Sequence, residues 1–142
     1  IDGKVGKALS FDGVDDYVKT PTIQNARSIF IWANIPTTTC WHYILDARPG
    51  LSNGWLAVDC GFGSNWVKMY VNGIQKTLSW NNIPRNQWVA LYFESNTNFN
   101  STINLMSRYS NNETLKGFLD EIRVYNRALI DQEIKALYEV TK

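Results

Sequence analysis

The sequence predicts an all-β fold, a two-sheet antiparallel β-sandwich of the jelly-roll kind closed by one short C-terminal helix. Three observations carry this. Short segments rich in β-branched and aromatic residues recur at roughly ten-residue spacing, each closed by Gly, Pro, Asn or Asp. Asn, Ser and Thr supply 34 of the 142 residues, 15 of them Asn, and turn-formers at that density belong to a chain of many short strands. Six Trp, seven Tyr and six Phe, with 44% hydrophobic residues overall, give core material for one domain spanning 1–142. The same numbers exclude a disordered chain. The uninterrupted apolar runs, Ile29–Ala33 among them, fall far short of the roughly 18 residues of a membrane span. Fourteen Lys and Arg against thirteen Asp and Glu, without a basic run, leave no nucleic-acid partner to expect.

Strands are expected near Ala8–Asp12, Asp16–Thr20, Arg27–Ile35, Trp41–Ala47, Trp55–Cys60, Trp66–Val71, Ile74–Trp80, Gln87–Glu94, Ser101–Ser107 and Phe118–Tyr125. The sharpest local signal is Asn72-Gly73, which supplies the two positive φ angles of a type I′ turn and joins Trp66–Val71 to Ile74–Trp80 in a tight hairpin. The end of the chain changes period. Ile130, Ile134, Leu137 and Tyr138 fall on one face of a short helix, whose stripe should pack onto the sandwich.

Two stretches are more specific than any periodicity: Gly6-Lys7-Ala8-Leu9-Ser10-Phe11-Asp12-Gly13-Val14-Asp15-Asp16-Tyr17-Val18, and Gly117-Phe118-Leu119-Asp120-Glu121-Ile122-Arg123-Val124-Tyr125-Asn126-Arg127-Ala128-Leu129. Together they resemble laminin G-like jelly-roll modules of the concanavalin A-like lectin and glucanase superfamily. Glu133-Ile134-Lys135-Ala136-Leu137-Tyr138 is similar to that family's closing helix, and Ile31-Trp32-Ala33 and Gln87-Trp88-Val89 resemble its inner strands. The resemblance implies that the first and last strands lie together, and it places Trp32 and Trp88 in the core. It also implies a recognition module for glycans or proteins outside the cell, carried by a larger polypeptide. A chain that starts at Ile1 fits such an excised or processed module. Where the family caps its helix with Ser or Thr this chain has Ile130, so Asp131 is expected to take the cap one residue later.

Catalysis is not expected. The superfamily's glucanases need two carboxylates about 5–5.5 Å apart, whereas the acidic pairs here, Asp15-Asp16 and Asp120-Glu121, are adjacent and would point to opposite faces of a strand. His42 is the only histidine, and no Gly-x-Ser-x-Gly elbow accompanies it. Two cysteines twenty positions apart and one histidine do not have zinc spacing. Cys40 and Cys60 flank a hairpin, and with its centre at Gly50 they stand opposite each other. They are then either a disulfide, which suits an oxidising compartment, or two buried thiols.

Strand parity divides the middle of the chain into two faces. Cys40, Ile44, Leu56, Val58, Val67, Met69, Val71, Ile74 and Leu78 are placed inward. The same parity sends Trp41, Tyr43, Trp55, Asp59, Trp66, Lys68 and Tyr70 to the outer face of a consecutive meander, with Arg48, Asn53 and Asn65 in flanking loops. Alternating rings and polar groups are what a sugar requires, since its C–H faces stack and its hydroxyls hydrogen-bond. Packing of these rings under a loop or the second sheet is the alternative.

Asp12, Asp15 and Asp16 crowd one turn, and Asp120 is expected to approach from the last strand, a set of hard oxygen ligands that suits a structural Ca2+. The alternative is an Asx-turn at Asp12, solvated Asp15 and Asp16, and an Asp120 that accepts backbone N–H bonds. The expected function is thus a non-catalytic extracellular glycan-binding module. The alternative is an adhesion or assembly module that buries the same aromatic face against another protein subunit or a neighbouring domain.

Overall fold

The apolar run Ile29–Ala33 lies in a strand buried on both faces, and the rest of the architecture is arranged around it. The computed structural model describes residues 1–142. In chain order the elements are β1 (Leu9–Asp12), β2 (Val18–Lys19), β3 (Ile23–Asn34), β4 (Tyr43–Asp46), β5 (Trp55–Ala57), β6 (Gly61–Phe62), β7 (Trp66–Val71), β8 (Ile74–Lys76), β9 (Val89–Ser101), β10 (Asn104–Leu105), β11 (Lys116–Tyr125) and α1 (Asp131–Thr141). They form two antiparallel sheets, one in the order β1-β11-β3-β9-β7-β8 and one in the order β2-β10-β4-β5-β6. This is the two-sheet β-sandwich with a C-terminal helix that the sequence predicts.

The long central pair β3–β9 aligns Ile29 with Phe93, Ile31 with Leu91 and Ala33 with Val89 on the inner face. There they meet Ile44, Leu45, Leu56 and Leu105 of the second sheet in the main core. The alternate residues Phe30, Trp32, Ala90 and Tyr92 face the other way, where α1 covers them with Ile134, Leu137 and Tyr138. Burial on both faces is why no polar residue interrupts 29–33. The first and last strands do pair, Leu9 opposite Leu119 and Asp12 opposite Lys116. The Asn72-Gly73 turn is also formed, with φ of 51° and 81° and Val71 opposite Ile74.

Several expectations need correction. The stretch Trp41–Trp80 is not one meander. After β6 the chain crosses to the other sheet, so β4 and β5 are separated from β7 and β8. Within β7 an extra residue intrudes: Trp66 is opposite Ser95 and Lys68 opposite Glu94, leaving Val67 as a bulge. The bulge inverts the parity at the start of the strand. Trp66 enters the core at 3% exposure, against Phe93 and Phe99, while Val67 turns out to solvent at 50%. Ile74, expected inside, lies exposed on the edge strand β8. Trp32 is buried, but on the helix side, where its indole N–H donates to Thr141 at 2.7 Å, and Trp88 is only half-buried.

Helix capping also differs. Ile130 occupies the cap position, and Glu133 reaches back to accept its backbone N–H at 3.1 Å. Asp131 instead accepts the hydroxyl of Tyr70. Glu133 also pairs with Arg127. That guanidinium, with the Ile130 N–H, holds the Glu133 carboxyl down at about 2, well below its ordinary 4.5. Below the helix, the Tyr92 hydroxyl donates to Glu94 at 2.8 Å and accepts the Leu129 N–H at 2.9 Å. Burial pushes the hydroxyls of both Tyr70 and Tyr92 up to about 12.

Two outcomes follow for stability. Trp66→Ala should cost about 3–5 kcal/mol in a denaturant titration, as a large core ring removed, while Trp41→Ala should stay within about 0.5 kcal/mol. Because the carboxyl of Glu133 is more acidic in the folded chain, its stabilisation is present above pH 4.5 and is lost as pH falls through about 2. Glu133→Gln should remove that part of the acid dependence of the melting temperature, and an unchanged acid limb would refute the assignment.

Candidate functional site

On the outer face of the five-stranded sheet, β4 and β5 bring Tyr43 and Trp55 together, and the loop before β4 adds Trp41. The three rings touch pairwise: Trp41 lies 6.4 Å from Tyr43 and 6.3 Å from Trp55, and Tyr43 meets Trp55 edge-on at 6.4 Å. Tyr43 is the buried base of the cluster, Trp55 is half-buried, and Trp41 is 52% exposed. Gly61 makes room for the Trp55 ring, since a Cβ there would stand 3.3 Å from it.

A guanidinium extends the cluster. Arg48 sits 5.2 Å from the centre of the Tyr43 ring and 4.8 Å from that of Tyr109, and Arg108 lies 4.9 Å from Tyr109. The result is a continuous strip, Trp41, Trp55, Tyr43, Arg48, Tyr109, Arg108, along which rings give way to guanidinium groups.

Asp46 fixes this strip from beneath. Its side chain is fully buried on the outer side of β4, and Arg48 answers it with Nε at 3.0 and 3.1 Å and Nη2 at 2.6 Å. The backbone N–H groups of Arg48 and Tyr109 complete its shell at 3.1 and 2.9 Å. Burial would lower the affinity of Arg48 for its proton, but the hydrogen bonds and charge of Asp46 outweigh this and hold it above the ordinary value. Asn104, opposite Asp46 in the β4–β10 pair, ties down the loop that carries Tyr109 through Ser107 at 2.9 Å and Asn111 at 2.9 Å.

Of the residues expected at a binding surface, Trp41, Tyr43, Trp55 and Arg48 are therefore together, and the others are not. Trp66 is in the core. Tyr70 is buried on the opposite side of the molecule, beneath the helix that supplies its partner Asp131. Lys68, on the same sheet, stands 3.9 Å from the buried carboxylate of Glu94. Asp59 is consumed structurally, accepting the Arg85 guanidinium at 2.5 and 2.7 Å and the Thr38 N–H at 2.8 Å, with its own carboxyl lowered chiefly by Arg85. Asn53 is exposed, and its backbone N–H donates to the Asn65 side chain at 2.8 Å. Tyr109 and Arg108 were not legible as site residues. An Arg-Tyr pair in a polar turn is an ordinary surface sequence, and only the pairing of β10 with β4 brings it beside Tyr43.

Cys40 and Cys60 form a disulfide, Cα to Cα 4.7 Å, at the Trp41 end of the strip. His42 follows, its Nδ1–H donating to the Thr114 carbonyl at 2.8 Å.

The acidic residues separate into two places. Asp12, Asp15 and Asp16 can bring one oxygen each within 4.8 Å of one another. Asp12 there holds an Asx-turn, accepting the N–H of Val14 at 2.8 Å, and Asp16 accepts the N–H of Asp12 at 3.0 Å. Backbone donors thereby lower the Asp12 carboxyl. Asp120 does not join them, because register places it opposite Trp32, four residues from the partner of Asp12, roughly 13 Å along the strand. It accepts the N–H of Val5 at 3.0 Å and of Glu121 at 2.8 Å instead, which fastens the start of the chain to β11. Three exposed carboxylates supply only part of the six to eight oxygens that calcium takes.

No protein-family model, curated protein or solved structure matches this chain.

Arg48→Ala would leave the buried Asp46 charge without its counter-ion and should destabilise the protein by about 3 kcal/mol. Adding Asp46→Asn to it should recover part of the loss in a denaturant double-mutant cycle. Strict additivity of the two changes would show that they are not coupled.

Proposed function

We propose that the strip from Trp41 to Arg108 is a glycan-binding surface and that the domain is a non-catalytic recognition module working outside the cell. The observation that carries this reading is the exposed ring of Trp41, stacked on Tyr43 and tilted against Trp55 at the head of a row of guanidinium groups. Leaving that ring in water costs free energy that a sugar's C–H face recovers on stacking, while Arg48 and Arg108 offer donors to hydroxyl oxygens. Asp46 takes Nε and Nη2 of Arg48, so the guanidinium edge beside the Tyr43 ring is the one nearest a ligand lying on the rings. The similarity of 6–18 and 117–129 to laminin G-like modules agrees with a recognition role, and the disulfide is compatible with an oxidising compartment.

A glycan array probed with the wild-type chain, with Trp41→Ala and with Trp55→Ala tests this. Sugar hits from a monomer should be lost in both variants, and for Trp41→Ala the melting temperature should stay nearly unchanged. Hits that survive Trp41→Ala would move the site elsewhere. A stable homo-oligomer without sugar hits, broken into monomers by Trp41→Ala, would instead identify the strip as an assembly surface.

A further inference from the structure

We propose that the Cys40–Cys60 disulfide is the positioning device of the aromatic strip. It holds Trp41 in a left-handed backbone conformation that presents the indole beside Tyr43 and Trp55. The proposal deepens the glycan-binding reading and rests on it for its functional consequence, but the mechanical part can be tested without a ligand.

Trp41 has φ of 70°, a conformation uncommon for any residue with a Cβ and unfavourable for a bulky one. Its side chain makes no hydrogen bond within the chain, and its ring is half exposed, so the ring alone does not fix the backbone there. The fixing comes from both flanks. Immediately before it, Cys40 is bonded to Cys60. Immediately after it, the His42 carbonyl accepts the Val58 N–H at 2.8 Å and the His42 ring is tied to the Thr114 carbonyl. Trp41 is therefore the single residue between two anchored ones, and both anchors lead to the same turn, Val58–Cys60.

That turn is itself held rigidly. Asp59 also lies in the left-handed region, at φ 59°. Its carboxylate takes both Nη atoms of Arg85 and also captures the Thr38 N–H, two residues upstream of Cys40. Arg85 spends its remaining donors on the carbonyls of Pro36, Trp80 and Ile83, at 3.2, 3.1 and 3.2 Å. The loop Pro36–Cys40 is thus laced to the Asp59 turn at three points, two electrostatic and one covalent. A strained residue persists only where its surroundings over-determine it, and here it coincides with the most exposed ring of the candidate site. Release of the covalent tie should let Trp41 leave the left-handed region and its ring leave the stack.

The test compares Trp41→Gly with Trp41→Ala in the full chain, each titrated with dithiothreitol to equilibrium. In this exchange two electrons and two protons pass from the dithiol to the two sulfurs, giving two cysteine thiols and cyclic oxidised dithiothreitol. Both variants lack the ring, and only alanine resists a positive φ. The disulfide of the glycine variant should therefore be harder to reduce, by several-fold and up to roughly ten-fold in the equilibrium constant. Equal constants for the two variants would overturn the proposal.

A second measurement uses the wild-type chain and Cys40→Ser/Cys60→Ser. The near-ultraviolet circular dichroism of the double variant should fall to that of Trp41→Ala while the far-ultraviolet spectrum keeps its β signature. An unchanged near-ultraviolet spectrum would also overturn the proposal. If the double variant fails to fold, the dithiothreitol comparison decides alone. On a glycan array, sugar hits of the oxidised wild type should weaken on reduction. An oxidised wild type without hits would refute the glycan reading, and the glycine-to-alanine comparison would still decide the clamp.

Discussion

The pairing of β3 with β9 is the constraint on which the rest of the molecule depends. It is the longest ladder in the structure, and both of its faces are buried, one against the second sheet and one against the C-terminal helix. Two hydrophobic clusters therefore share one pair of strands, with Ile29, Ile31, Leu91 and Phe93 serving one and Phe30, Trp32, Ala90 and Tyr92 the other. A slip of one residue in this register would exchange the two sets and place tyrosine and tryptophan where the sandwich needs compact aliphatic packing. The pairing also fixes the site, though indirectly, because it sets the sheet against which β4 and β5 turn their inner residues, leaving Tyr43 and Trp55 to face outward.

The candidate site depends in turn on one buried charge. Asp46 sits on the outer side of β4 with no exposure, and every group that answers it belongs to the strip or to the loop carrying Tyr109. A buried carboxylate is costly unless it is paired and hydrogen-bonded. Here the pairing does more than compensate the burial, because it holds the Arg48 guanidinium between two tyrosine rings and brings the 108–112 loop down onto the sheet. Such an arrangement defines the geometry of the surface in advance, and on the glycan-binding reading proposed above it lowers the ordering cost of binding.

How far the sequence could be read depended on whether each signal was local. Asn72-Gly73 specified its turn because two positive φ angles are a property of those two residues alone. The apolar stripe of Ile130, Ile134, Leu137 and Tyr138 specified the helix for the same reason, although Ile130 becomes its exposed cap and leaves the buried face to the other three. Trp66 was placed on the wrong face because parity assumes an unbroken strand, and the bulge at Val67 is determined by the partner strand β9, which no inspection of residues 66–71 reveals. Tyr70 followed the expected parity but not the expected exposure, since its outward face is covered by α1. The expected residues that the structure brings together, Trp41, Tyr43, Trp55 and Arg48, lie on one hairpin with its two flanks, where sequence neighbours are also spatial neighbours. Tyr109 comes from a segment more than fifty residues further along the chain, beyond the reach of any local rule.

The two outer faces of the sandwich show how the chain divides its aromatic residues between stability and exposure. On the six-stranded sheet the outward rings of Phe30, Trp32, Tyr70 and Tyr92 lie under the last helix, which covers them. On the five-stranded sheet no helix is laid down, and the outward residues shield one another: Trp55 and Trp41 pack over Tyr43, and Arg48 and Tyr109 close its other side. This self-covering buries Tyr43 and Asp46 completely enough to stabilise the sheet, but a stack of rings always has an outermost member. Trp41 is that member, and its backbone is held in a disfavoured conformation by the disulfide beside it. An exposed tryptophan that served packing alone would relax to an ordinary φ. On the recognition reading proposed above, exposure, strain and covalent restraint at one position belong together, because a ring held in place before a ligand arrives incurs less of the ordering cost on binding.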